Sequence, residues 1–280
     1  MPALFDLNEI TSLMPMPISS VRMAEMVSDP GSTIQQFTRV IELDQALTVD
    51  ILRWANSAFS GPETRIDTVR DAVVRLGTAN ILKLAVGQHL VASFSPSLSQ
   101  TDYGENELWR HSVASALAVE GLSEISPVRI PGLGFTAALI HDVGKLILCR
   151  RLGYDNLQEM IREIVDEKNV SGVEAERTFL QTDHAEIGGA IVRHWKFSEE
   201  MAGAIENHHR HDMEGGVLLD AVVAGDVLAH SLDVPHPEEW DKIMPILRRL
   251  KISGVDSANL LEIIRRKMSM SELLWNATPA

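Results

Sequence analysis

The sequence predicts an all-α protein, an N-terminal helical lobe packed on a second helical core. Apolar residues recur at spacings that share a helix face, and each run is bounded by residues that cap or break helices. No run alternates apolar and polar residues between hairpin turns, and the residues that favour strands are scattered or, like the 2 tyrosines and 7 phenylalanines, few.

In chain order, Pro17 can open a helix over Ile18 to Val27, which Asp29-Pro30-Gly31 ends. Ser32 or Thr33 can cap Ile34 to Leu43. Leu47 to Ala58 follows, with Ile51, Leu52, Trp54 and Ala55 along one face, and Gly61-Pro62 breaks it. Asn56-Ser57-Ala58 reads as a helix end whose side chains bond free backbone groups. Asp67 or Thr68 can cap Val69 to Leu76, Gly77 interrupts, and Ile81 to Phe94 resumes. Ser95 to Gly104, with Pro96, reads as a linker.

The second half opens with a helix over Glu105 to Leu122 and a loop at Ser126-Pro127 and Pro131-Gly132. A helix carrying His141-Asp142 comes next, then Asn156 to Asp166 and Val173 to Leu180. Asp183, with Glu186 three residues on, resembles a capping box before Ile187 to Trp195. Ser198 can cap Met201 to His209. Leu218 to Leu232 is apolar apart from Asp220 and Asp226, and short helices over Glu238 to Leu250, Ser257 to Lys267 and Ser271 to Trp275 finish the chain. The expected organisation is a lobe over 1–100, a core over 105–235 and C-terminal helices over 236–280. Trp54 and Trp109 are expected in the core.

The 280 residues, 45% hydrophobic and 23% charged, suit a soluble globular chain. A net charge of -14 disfavours long nucleic acid, because phosphates would meet like charge. The lone Cys149 excludes an internal disulfide and a CxxC zinc motif, which fits a reducing compartment such as the cytoplasm. The N-terminus is acidic and unlike a signal peptide, and no apolar run is long enough to span a bilayer.

The chemistry gathers around Ala137-Ala138-Leu139-Ile140-His141-Asp142-Val143-Gly144-Lys145, where an apolar run delivers an imidazole and a carboxylate. Burying both costs free energy unless hydrogen bonds or a cation compensate. Among the 10 histidines, His111, His184 and the pair His208-His209 also stand beside apolar neighbours on predicted helices, and Asp226 lies within an apolar helix. Crossing helices can bring these positions together around one metal, or around two bridged by Asp142. Imidazole with carboxylate suits iron, manganese, zinc or nickel. His89, His194, His230 and His236 are given no role, and His211 is left out of the set.

The order His111, His141-Asp142, Asp226 resembles the HD superfamily of metal-dependent phosphohydrolases, in which those positions bind metal. His184, His208 and His209 are similar to the extra ligands of its HD-GYP branch, which cleaves cyclic di-GMP. His208-His209-Arg210-His211-Asp212-Met213-Glu214-Gly215-Gly216 contains no Gly-Tyr-Pro triplet, which weakens that substrate as a specific expectation. Over Leu13 to His209 the fuller resemblance is to the HDOD domain. It rests on Leu13-Met14-Pro15-Met16-Pro17, on Asp44-Gln45-Ala46-Leu47-Thr48 with Leu52-Arg53-Trp54-Ala55-Asn56-Ser57-Ala58, and on Ala72-Val73-Val74-Arg75-Leu76-Gly77.

That resemblance implies an HD-type helical core and an output role in bacterial signalling through a protein partner, with a homodimer also open. For a catalytic site it implies two divalent transition metals, iron or manganese before zinc or nickel, bridged by Asp142, with Lys145 offsetting charge on a substrate phosphate. Met14-Pro15-Met16, Met23 and Met26 form a candidate partner surface on the lobe, with core filling as the alternative.

Overall fold

The structure, a computed structural model, describes residues 15–56, 66–98, 103–232, 237–252 and 257–276. Every regular element among them is a helix. The lobe comprises α1 (Ile18–Ser28), α2 (Ile34–Glu42), α3 (Gln45–Ala55), α4 (Val69–Leu76) and α5 (Thr78–Leu98). The core comprises α6 (Tyr103–Ile125), α7 (Gly134–Ile140), α8 (Val143–Leu152), α9 (Tyr154–Lys168), α10 (Gly172–Leu180), α11 (His184–His194), α12 (Glu199–Glu206) and α13 (Val217–His230). Two more follow, α14 (Pro237–Arg249) against α13 and α15 (Ser257–Asn276) against α6.

Local chemistry sets the helix starts. Thr33 accepts from the Gln36 N–H while Gln36 reaches back to the Thr33 N–H, a complete capping box. Thr68, not Asp67, caps α4, and Ser198 caps α12 through the Met201 N–H. The box expected at Asp183 is half formed. Asp183 accepts from the Glu186 N–H, whereas the Glu186 carboxylate accepts from the Thr182 hydroxyl at 2.9 Å. Asn56 closes α3 as its amide suggests, donating to the carbonyls of Leu52 and Ile66 at 2.8 and 2.7 Å and accepting from the Ile66 N–H at 2.8 Å. Ser57, Ala58, Gly61-Pro62, His236, and Leu13 and Met14 lie outside the described residues.

Several boundaries differ from expectation. α5 continues past Pro96 to Leu98 and α6 begins at Tyr103, so most of the expected linker is helical. Serine and proline content is a weak local prior that tertiary context overrides. α15 runs unbroken through Ser271, where two helices were expected. His141-Asp142 occupies the junction between α7 and α8, and His208-His209 lies in the turn after α12. Met16 and Met23 are buried, which removes them from a docking surface, and Met26 packs partly against the core. Trp54 and Trp109 also pack partly against it.

One apolar cluster runs through lobe and core, with α5 touching both α6 and α7. Its most extensive helix pair is α6 against α13. Small residues make the crossing close: a Cβ on Gly225 would lie 2.7 Å from Val119 Cγ2 and 2.9 Å from the Ser115 carbonyl oxygen. Of the two acids in α13, Asp220 is explained by the Arg249 guanidinium, which grips both its oxygens from α14. Asp226 instead meets histidines.

Gly225→Ala tests the crossing. Alanine gains about 1 kcal/mol over glycine in an open helix, but overpacking of this kind costs about 1–3 kcal/mol. We expect a net loss of up to about 2 kcal/mol by urea denaturation; a gain in stability would show that the helices have room to spare.

Candidate metal centre

Five stretches of chain deliver the donors. His111 comes from the first half of α6, Asp226 from α13, His141 and Asp142 from the α7–α8 junction, His184 from the first position of α11, and His208 and His209 from the turn after α12. Gly144 lets the junction reach α11, for a Cβ there would lie 2.0 Å from the His184 carbonyl oxygen. Asp142 is the N-cap of α8 yet makes no side-chain cap bond, so both its oxygens face the cluster.

The donors form two groups. His111, His141 and Asp226 make one; His184, His208, His209 and Asp142 make the other. In the first, His111 Nε2 is 3.0 Å from Asp226 Oδ1 and 3.3 Å from His141 Nε2, and His141 Nε2 is 3.6 Å from Asp226 Oδ1. In the second, His184 Nε2 is 2.8 Å from His209 Nε2 and 3.4 Å from His208 Nε2. Asp142 joins them. Its Oδ2 faces His111 and His141 at 3.7 and 3.4 Å, and its Oδ1 faces His184 and His208 at 3.2 and 3.7 Å.

The residues fit a metal on three counts. Donors about 2.1 Å from a shared cation lie roughly 3.0–3.4 Å apart, close to the spacing here. The rings are also held with Nε2 inward. His141 Nδ1 donates to the Ala138 carbonyl at 2.7 Å, His208 Nδ1 to the Ile205 carbonyl at 2.6 Å, and His184 Nδ1 to Glu176 Oε2 at 2.7 Å. Glu176 Oε2 further accepts the His184 backbone N–H at 2.8 Å. Finally, Asp142 Oδ1 is buried without a hydrogen-bond partner, the His184 contact being off the line that a bond requires.

Burial and mutual charge set the protonation. Burial pulls His209 down to about 3, holds His208 well below the ordinary imidazole value and lowers His111, leaving lone pairs free. Burial and Lys145 also pull on His184, but Asp142 and Glu176 outweigh them and push it up to about 9. His141 is raised despite burial, chiefly by Asp142 and Asp226. Burial pushes Asp142 and Asp226 up, yet the histidines around both, and Lys145 beside Asp142, hold the two carboxyls well below the usual range. A cation entering such a site displaces protons from its ligands.

His141, Asp142, His184, His208 and Asp226 are buried. His111 and His209 are only partly covered, and Lys145, 2.7 Å from Asp142 Oδ2, leaves 31% of its side chain exposed. Solvent thus reaches the cluster at His111, His209 and the Lys145 ammonium. Two residues passed over in the sequence belong here. Glu176 is the buried acceptor behind His184, and His230, given no role in the sequence, lies with Nδ1 3.3 Å from Asp226 Oδ1. The four-residue step from Asp226 to His230 was the available signal. Glu176 offered little, since it sits among other acids in an amphipathic helix. His194 is exposed, as expected of a residue without a role.

The HDOD domain family model matches residues 13–211. A protein of Treponema pallidum (strain Nichols) without assigned function is 23% identical over 205 residues, covering 72% of this chain and 38% of its own length; this chain therefore spans well under half of that relative. Among solved structures, a candidate phosphohydrolase from Shewanella amazonensis SB2B superposes with a TM-score of 0.66 at 22% identity, over 95% of this chain and 97% of that one. A candidate signal transduction protein from Marinobacter aquaeolei VT8 gives 0.66 at 19% identity, over 96% of this chain and 62% of that one. At such identities the likeness establishes the helical fold.

Replacing Glu176 with Gln keeps the shape but removes the charge behind His184. Losing a partner of this kind weakens metal binding about 10–100-fold. Titration of metal-depleted protein with Mn²⁺ should show binding weakened to that extent, and unchanged binding would mean that Glu176 serves only to start α11.

Proposed function

The chain belongs to the HDOD domain family, and from that premise we propose that it is a bacterial signal-transduction protein whose core hydrolyses a phosphate ester or nucleotide at a two-metal centre. The division of the Asp142 carboxylate, one oxygen toward each group of donors, carries this reading. Nitrogen and carboxylate donors without a thiolate suit iron or manganese, with zinc or nickel also accommodated. When bound, such a pair lowers the pKa of a water and polarises a phosphoryl oxygen.

The chain's own residues supply the rest. His111, His141 and Asp226 would hold one cation and His184, His208 and His209 the other, while Asp142 would fix the pair. Lys145, partly exposed beside Asp142, would offset charge on the phosphate oxygens as it builds up. The buried faces of α8, α11 and α13 keep bulk water from the inner donors, which strengthens every charge interaction there. Net charge of -14 favours a small phosphoester over a long polynucleotide.

A second reading, regulation through a protein partner, draws support from the lobe. Ile18, Ile34, Leu43, Val49 and Val74 are all exposed there, with Ile18 72% exposed. Ser19 Oγ donates to Asp44 Oδ2 at 2.7 Å, which ties the start of α1 to the cap of α3. Output through this face is compatible with turnover in the core.

Elemental analysis of protein purified without chelator, beside His141→Ala/Asp142→Ala, tests the centre. We expect about two transition-metal equivalents in the wild type, lost in the variant. Assays on bis-p-nitrophenyl phosphate and on cyclic dinucleotides should then give turnover that falls about 100–1,000-fold in Lys145→Ala. Metal without turnover would leave the regulatory reading standing alone. Absence of metal would remove the hydrolase.

A further inference from the structure

His230 ends α13, one turn beyond Asp226, and it meets two members of the first donor group. Its Nδ1 lies 3.3 Å from Asp226 Oδ1, the same oxygen that His111 and His141 approach. Its ring lies against that of His111, with centroids 4.3 Å apart and an angle of 40° between the planes. Yet 47% of its side chain is exposed, in contrast to the buried ligands behind it. Nothing in the packing of the core requires an imidazole at such a place.

Resting on the two-metal reading, we propose that His230 is a positioning residue for the cation held by His111, His141 and Asp226. A carboxylate oxygen has two lone pairs. The two atoms lie 3.3 Å apart without the alignment of a hydrogen bond; an Nδ1–H of His230 turned onto one lone pair would fix Asp226 Oδ1 in rotation and leave the other for a cation. The same ring braces His111 from the solvent side, so that its Nε2 stays directed at that oxygen. Glu176 does the corresponding work for the second group, from inside the core and through His184. Each cation site therefore has its own outer support, and the two supports are far enough apart in character to be removed separately.

The test is metal binding by metal-depleted protein, with Mn²⁺ as the probe and a chelating dye as competitor. In His230→Ala we expect one tight equivalent to remain and the other to weaken about 10–100-fold. His230→Asn places an amide N–H near the position of Nδ1–H and should recover most of the affinity; His230→Gln, whose amide reaches the position of Nε2, should not. Thermal melts without metal should leave all three close to wild type, since the side chain is half exposed. Two unchanged equivalents in His230→Ala would overturn the role of His230 and leave the two-metal reading intact. Equal loss in the Ala and Asn variants would overturn the bond to Asp226. A wild type that takes up no Mn²⁺ would overturn this proposal together with the reading beneath it.

Discussion

Everything at the centre depends on how closely helix backbones approach one another beside two donors. Gly225 lies next to Asp226 and Gly144 lies two residues from Asp142, and at each the neighbouring backbone carbonyl occupies the space a methyl group would need. Helix axes in ordinary packing stand 8–10 Å apart, with side chains between them. Short side chains such as Asp and the imidazoles that meet here could not converge across a wider gap. The glycines weaken their helices intrinsically, and the apolar contacts of α6 with α13 and of α8 with α11 offset that weakness.

That packing also creates the electrostatic tension of the site. Two carboxylates and five histidines share a region that excludes most water, and such a region tolerates neither bare charge nor unpaired lone pairs. The protein without metal meets the difficulty with protons and one ammonium. Protonated His184 can donate to neutral His209, and Lys145 binds Asp142. Divalent charge would do the same job with the geometry already in place. The arrangement around Asp220 is the useful contrast, because its partner is a fixed guanidinium and leaves no role for anything else.

The sequence showed the helical class, most helix starts and the identity of the clustered donors, because each rests on local chemistry: periodicity, a capping side chain, a polar residue stranded among apolar ones. Thr33, Thr68 and Ser198 cap where their hydroxyls suggest. What stayed hidden depends on other parts of the chain. Pro96 reads as a break and is carried within α5, and His141-Asp142 reads as helical and falls between two helices. Glu176 and His230 show no link to the cluster until α10 and the end of α13 are placed beside it. The methionines of the lobe were legible only as apolar, and folding, not composition, decided that Met16 and Met23 fill the core.

The donors arrive from positions as far apart as His111 and Asp226, which are 115 residues distant along the chain. Contacts of that span form late, since much of the intervening chain must be ordered before they can be made. During synthesis the first donor waits exposed until the last helix of the core has emerged. A chain cut short before α13 would lack Asp226, and with it the carboxylate that completes the first donor group, while all the donors of the second would already have emerged.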